Sequence, residues 1–354
     1  MELDTRIKEN FLLAFLSYWG CWITDLPKIH RGVDGFLETL ETSSLLEKKY
    51  SLAWGPAVHQ HDEQAHNDAL MFAVRWENEL TIVIRGTSIF SPSTMILQDL
   101  LIRRKVPWTQ LFPHRETIPG DAQISESTFR GLSLLTQLES APSADADSQP
   151  ILAFVQKTIE ESPDITINIT GHSLGGCLAA PLALWLADSL ESRSGNNSLP
   201  PIRTFAFAGP TPGDQGFNDY FASRLPDSYT SYTNKLDPAP YVWDMESLSR
   251  LKDLPYFKKQ DDKELIYIAS QMARDMDYKR MAGDIEGEGE QLKLAPFLLQ
   301  AVWQHTIEYF ILLFGKKETA QLMIIFDKFI IKLFGKFIAR SIWPKLLEQR
   351  GLKE

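Results

Sequence analysis

Six residues, Gly171-His172-Ser173-Leu174-Gly175-Gly176, constrain this chain more than any other stretch. Before them, Asp164-Ile165-Thr166-Ile167-Asn168-Ile169-Thr170 alternates apolar and polar residues as a strand does. After them, Cys177-Leu178-Ala179-Ala180 continues a helix of small residues. A strand that passes directly into a helix around a serine must turn sharply. Glycines on both sides let the backbone approach its neighbours and leave the hydroxyl exposed at the top of the sheet. The helix N-terminus beneath favours negative charge developing there. The pattern predicts a strand–elbow–helix unit with Ser173 as a nucleophile.

A serine hydroxyl is a weak nucleophile and needs a base that is itself oriented by a carboxylate. On sheets of this kind the chain order is serine, acid, histidine. Of the seven histidines (His30, His59, His61, His66, His114, His172 and His305), only His305 follows Ser173, so it is the expected base. His172 adjoins the serine and should pack beneath the elbow. The expected acid is Asp237, in Asn234-Lys235-Leu236-Asp237-Pro238 just past a strand at Tyr229–Thr233. Open α/β sheets place their sites at such strand ends. Asp214, in Pro212-Gly213-Asp214, is the rival, and reads more simply as a turn aspartate bonding its own backbone.

Three early runs rich in β-branched and aromatic residues, Tyr50–Trp54, Leu70–Trp76 and Leu80–Ile84, predict strands. Ser140–Pro150 and Ser192–Pro200 have loop composition. Between them fall a helix from about residue 150, a strand at Ile165–Thr170 and a helix from about residue 175, and a further strand follows at Ile202–Phe207. Strands alternating with helices imply a mostly parallel central sheet flanked by helices, and the Gly-x-Ser-x-Gly elbow at Gly171–Gly175 points within that class to an α/β-hydrolase fold. The 354 residues suffice for one large α/β domain with an appendage. The composition changes at Lys316, which sets residues 1–315 as the hydrolase domain and 316–354 as a C-terminal helical extension.

A net charge of −10 argues against a nucleic-acid binder. Cys21 and Cys177 are too few for a disulfide framework and read as buried thiols. Glu2, Asp4 and Glu9 among Arg6 and Lys8 do not make a signal peptide, and the apolar stretch Phe11–Ile23 reads as an amphipathic core helix. No stretch is long and apolar enough for a transmembrane helix. A cytoplasmic or peripheral-membrane location is expected, and any export would take a route other than a classical signal peptide.

With these motifs in hand, the chain resembles the class 3 (fungal-type) triacylglycerol lipase family over roughly residues 10 to 312. The resemblance rests on Gly171–Gly176, the Asn-x-x-Asp-Pro segment ending at Pro238, and His305-x-x-x-Tyr309 followed by Phe310. It also rests on Ile82-Val83-Ile84-Arg85-Gly86-Thr87 with the later Asp99-Leu100, and on Phe207-Ala208-Gly209-Pro210-Thr211-Pro212-Gly213-Asp214, where Ala208 replaces a family glycine. Phe129-Arg130-Gly131-Leu132 is loosely similar to the family's His-x-Gly-Phe turn. The resemblance implies that the backbone N–H groups of Thr87 and Leu174 form an oxyanion hole, each donor contributing about 2.7–4 kcal/mol to the transition state. It implies a lid at Ser88–Leu97, with Ile89, Phe90, Met95, Ile96 and Leu97 covering the site; the same residues also suit an ordinary packed helix. Two departures stand out. The segment from Asp237 to His305 is long and carries a charged helical insertion, and the disulfides of the secreted fungal enzymes cannot form. The acidic run Asp284–Glu290 reads as a solvated loop, because glycines alternating with acids make no rigid metal cage.

Lys328, Lys332, Lys336 and Arg340 recur every four residues among Ile, Phe and Leu. Residues 316–354 carry nine basic and four acidic side chains, a net of +5 that leaves the remainder at −15. Such a helix either lies on a membrane surface or docks on the domain with its lysines in solvent. The function expected is hydrolysis of carboxylic esters of glycerolipids or phospholipids through an acyl-enzyme on Ser173. It needs no cofactor or metal, and its partners are a lipid substrate and a membrane surface. The alternatives are a soluble esterase or acyltransferase, and a catalytically silent membrane-binding or interaction module.

Overall fold

Near-continuous apolar runs such as Leu70–Val74 and Leu80–Ile84 make strands buried on both faces, and these assemble into the central sheet. The computed structural model describes residues 4–19, 23, 25–43, 45–59, 69–86, 101–140, 148–194, 199–257, 260–293, 295–325 and 343–352. Two helices, α1 (Thr5–Leu16) and α2 (Leu26–Thr42), precede the strands β1 (Ser51–His59), β2 (Ala69–Trp76) and β3 (Glu79–Ile84). A small separate pair, β4 (Lys105–Pro107) and β5 (Gln123–Ser125), leads into α3 (Glu126–Gln137) and α4 (Ile151–Glu161). Next come β6 (Thr166–His172), α5 (Leu174–Ser194), β7 (Ile202–Phe207), α6 (Gln215–Arg224) and β8 (Tyr229–Asn234). The last third holds α7 (Gln260–Ala273), β9 (Asp284–Gly287), α8 (Phe297–His305), α9 (Ile307–Ile325) and α10 (Trp343–Gln349).

The sheet has the order β1-β2-β3-β6-β7-β8-β9, antiparallel from β1 to β3 and parallel from β3 to β9. Its two faces carry separate cores. On β2, Leu70, Phe72 and Val74 face one, while Met71 and Ala73 face the other. The first core is closed by α1, α2, α9 and α10, the second by α3, α4, α5 and α6. This is the α/β-hydrolase architecture, with the parallel strands covered on both sides.

Three sequence expectations are corrected here. β1 does not stop at Trp54 but runs to His59, because register shifts on either side of Trp54 absorb Gly55 and Pro56 as a bulge. The apolar stretch from Phe11 does not stay helical to Ile23: α1 ends at Leu16 and Ser17–Trp19 turn away. The acidic run is not wholly loop, since Asp284–Gly287 pairs in parallel with β8 as the sheet's last strand. Acids and glycine are poor strand formers, and an edge position with one neighbour tolerates them.

Residues 238–273 include a helical insertion with its own small core of Tyr241, Leu248, Leu251, Leu254, Tyr256 and Phe257, against which Phe297 and Ala301 of α8 pack. At Gly315 the backbone leaves helical geometry (φ 80°, ψ 172°), so α9 is two helices joined at a kink. Beyond it, Leu322 and Met323, then Trp343, Leu346 and Leu352, are buried in the same core as α1. Lys328, Lys332, Lys336 and Arg340 lie outside the described residues. Among the described residues no single helix is long and apolar enough to cross a membrane.

Candidate active site

The elbow forms as its glycines demand. Ser173 has φ +61°, a left-handed conformation unfavourable to side-chain-bearing residues. Its amide donates to Phe207 O of β7 at 2.8 Å, and Cys177 N donates back to Ser173 O at 3.0 Å. A Cβ on Gly171 would lie 2.3 Å from the Gly175 carbonyl, and one on Gly175 would lie 2.3 Å from Ile84 O. Neither contact can be relieved without moving backbone, so the turn cannot form around larger residues. Leu174 opens α5, where the first amides have no partner within the helix. The end of β3 presses on the elbow from the other side: a Cβ on Gly86 would lie 3.1 Å from Ser173 Cβ. Thr87 follows directly, but it lies outside the described residues, as do Ile89, Phe90, Met95, Ile96 and Leu97.

Asp237 and His305 are 68 residues apart and meet in space, His305 Nδ1 lying 2.8 Å from Asp237 Oδ2. The carboxylate is fully buried yet well satisfied. Oδ1 accepts from Ala239 N at 3.0 Å, and Oδ2 also accepts from the Tyr309 hydroxyl at 2.9 Å. Burial, with Asp237 beside it, holds the Tyr309 hydroxyl well above its ordinary value, so it stays a donor. A carboxylate that only accepts puts the histidine proton on Nδ1 and leaves Nε2 free to take one. The loop before Asp237 is fixed by Asn234, whose Nδ2 donates to Gln304 Oε1 at 2.7 Å and to Gln304 O at 2.9 Å. The acid loop and the end of α8 that carries His305 are therefore bonded directly to each other.

Beneath the elbow lies His172, buried as expected but more than packing. Nε2 sits 2.8 Å from His305 O, which can only accept, so Nε2 carries the proton. Nδ1 then accepts from the Tyr18 hydroxyl at 2.9 Å. The rings of His172 and His305 lie 4.7 Å apart. Burial, with His305 adjacent, holds the His172 pKa well below the ordinary histidine range. In the unfolded chain this residue takes a proton near pH 6.5, and in the folded chain it does not. Below that pH the unfolded state binds more protons, so stability falls with pH by about 1.4 kcal/mol per unit from this residue. Melting temperatures at pH 7.5 and 5.5 should therefore fall less on acidification in His172→Gln than in the wild type. Equal losses would mean that His172 titrates normally when folded.

Asp214 is not near His305. It caps α6, Oδ1 accepting from Phe217 N at 3.0 Å and Gln123 N at 3.1 Å, and Oδ2 pairs with Lys105 at 3.1 Å. The turn reading of this residue thus holds. Among the described residues no group of three His, Cys, Asp or Glu side chains could hold a metal ion. Tyr309 was signalled by its spacing from His305; Tyr18, Asn234 and Gln304 carry no local signature, because their partners are distant in sequence.

Fold, elbow and His–Asp pair together define an α/β-hydrolase. Residues 81–246 match the family model for Lipase (class 3). The M37 lipase crystal structure superposes with a TM-score of 0.76 at 29% identity, covering 92% of this chain and 96% of that one. Phospholipase A1-Igamma2, chloroplastic, of Arabidopsis thaliana is 33% identical over 76 residues, which are 20% of this chain and 14% of the plant protein. Galactolipase DONGLE, chloroplastic, of the same plant is 30% identical over 94 residues, 26% of this chain and 20% of that one. The matched stretches thus span a fifth or less of either plant enzyme's length.

Proposed function

We propose that this chain hydrolyses carboxylic esters of glycerolipids or phospholipids through an acyl-enzyme on Ser173. The observation that carries the proposal is the buried Asp237–His305 bond of 2.8 Å, with the His305 ring 4.7 Å from the ring of the residue preceding Ser173. Ser173 Oγ attacks the ester carbonyl while His305 Nε2 takes its proton, and Asp237 holds the imidazole in that tautomer. The amides of Leu174 and Thr87 stabilise the tetrahedral oxyanion. The alcohol leaves with the proton from His305, and water repeats the sequence on the acyl-enzyme. The lid at Ser88–Leu97 shields the site in water and opens at a lipid surface. The basic stripe of Lys328, Lys332, Lys336 and Arg340 draws the otherwise acidic body to an anionic membrane, each charge contributing about 1 kcal/mol.

The test is product analysis on a mixed membrane-lipid extract, with and without an added alcohol acceptor. Free fatty acid and lysolipid or partial glyceride should accumulate, and a Ser173→Ala control should release none. Acyl transfer to the added alcohol in preference to water would make the enzyme a transferase. Turnover of soluble esters alone would make it an esterase.

A further inference from the structure

The base of the site stands on a support that the nucleophile does not share. Ser173 is fixed to the sheet by its bond to Phe207 O, whereas His305 lies at the break between α8 and α9, where Thr306 is non-helical (φ −129°, ψ −77°). Glu308 spans that break. It is 1% exposed; Oε2 accepts from Trp303 Nε1 at 2.9 Å and Oε1 from Glu290 N at 2.9 Å. Its counterion is Arg350, itself 4% exposed, whose guanidinium bonds Glu308 with one nitrogen and the Glu290 carboxylate with another. Glu290 O accepts from Gln304 Nε2 at 2.8 Å, Gln304 receives Asn234, and Asn234 O accepts from Asp237 N at 2.9 Å. The Trp343 ring lies 5.4 Å from that of Trp303 and adds an apolar contact from the same C-terminal segment.

We propose that Arg350 is a positioning residue for His305 and Asp237, so that docking of residues 343–352 completes the catalytic site. This rests on the triad reading above. A planar guanidinium can serve two carboxylates at fixed geometry, and a lysine ammonium cannot. Without it Glu308 is a buried charge with no counterion and must turn toward water or take a proton. Either response releases Trp303 and Glu290, and with them the end of α8 that aims His305 at Ser173. The elbow itself is untouched, so binding survives while proton transfer fails.

The test uses the full chain and p-nitrophenyl butyrate, a monomeric ester that bypasses any membrane step. The variants are Arg350→Lys, Arg350→Ala and the charge-neutral pair Arg350→Met with Glu308→Gln, each checked by melting temperature. In the folded neutral pair no charge is left buried, but the guanidinium link from Glu308 to Glu290 is gone, so kcat should fall about 10²-fold, as a misplacement near 1 Å does, with KM unchanged. Its labelling by a fluorophosphonate should slow in parallel. Arg350→Lys should lie between it and the wild type, and methylguanidinium should restore kcat to Arg350→Ala. Wild-type kcat and labelling rate in the folded neutral pair overturn the proposal. So does loss of fold in that pair combined with full kcat in Arg350→Lys, which would make Arg350 structural only. Labelling of a Ser173→Ala control at the wild-type rate would sink the triad reading instead.

Discussion

Ser173→Ala is expected to lower kcat on short p-nitrophenyl esters by about 10⁶-fold while leaving the melting temperature nearly unchanged. The loss is large because, in the mechanism proposed above, no other group can replace the hydroxyl that forms the acyl-enzyme. What survives comes from oxyanion donors and substrate binding alone, about 10³–10⁴-fold over water. Stability should hold because the bonds that shape the elbow are those of the backbone: Ser173 N to Phe207 O and Cys177 N to Ser173 O. The strained φ of +61° is no worse for alanine, which carries the same Cβ. Ester hydrolysis and thermal melting on one preparation check both halves. Wild-type turnover in the variant would remove Ser173 from the mechanism.

Asp237→Asn is expected to lower kcat by about 10⁴-fold with the fold intact. In the native site Oδ2 accepts from both His305 Nδ1 and the Tyr309 hydroxyl, while Oδ1 accepts from Ala239 N. An asparagine must choose which atom faces His305. With its amide nitrogen there, the histidine proton moves to Nε2 and the base can no longer receive one from Ser173. With its oxygen there, the nitrogen confronts the Ala239 amide, donor against donor. Neither orientation supports the imidazolium that forms during turnover. Asp214→Asn is the informative contrast, because that side chain caps α6 and pairs with Lys105. It should lose on the order of 1 kcal/mol of stability and retain activity. The reverse ranking of the two variants would move the acid to Asp214.

Ser173 and His305 are legible in the sequence because each is over-determined. The serine sits in a turn that local residues alone specify, and the histidine has no competitor after it in the chain. Asp237 is legible through its place after a strand, and Asp214 through its turn chemistry. The support around them is not legible. Tyr18, Asn234, Gln304, Glu308 and Arg350 act largely through partners in other elements, up to 154 residues away, and no local period marks such a contact. β9 is hidden for a different reason, since Asp284–Gly287 owes its strand to the free edge of β8 rather than to its own propensity. The tail's basic stripe suits either a membrane surface or docking on the domain; Leu322, Trp343 and Leu346 on either side of it are buried against the body, and the stripe itself lies outside the described residues.

The core layer behind His305 joins residues some three hundred positions apart in the sequence. Phe11 of α1 packs against Tyr309 and Phe310 of α9, and the same cluster takes in Trp343 and Leu346 of α10. During synthesis α1 therefore leaves the ribosome some three hundred residues ahead of its partners. The part of its apolar face that α9 covers waits until those residues are made, at translation rates of about 5–20 residues per second, although β6 and β7 can already pack on α1. A nascent chain halted before α9 would hold a finished elbow and an unfinished base, inert toward lipid and prone to associate through α1. The onset of activity is thereby tied to a single layer of packing.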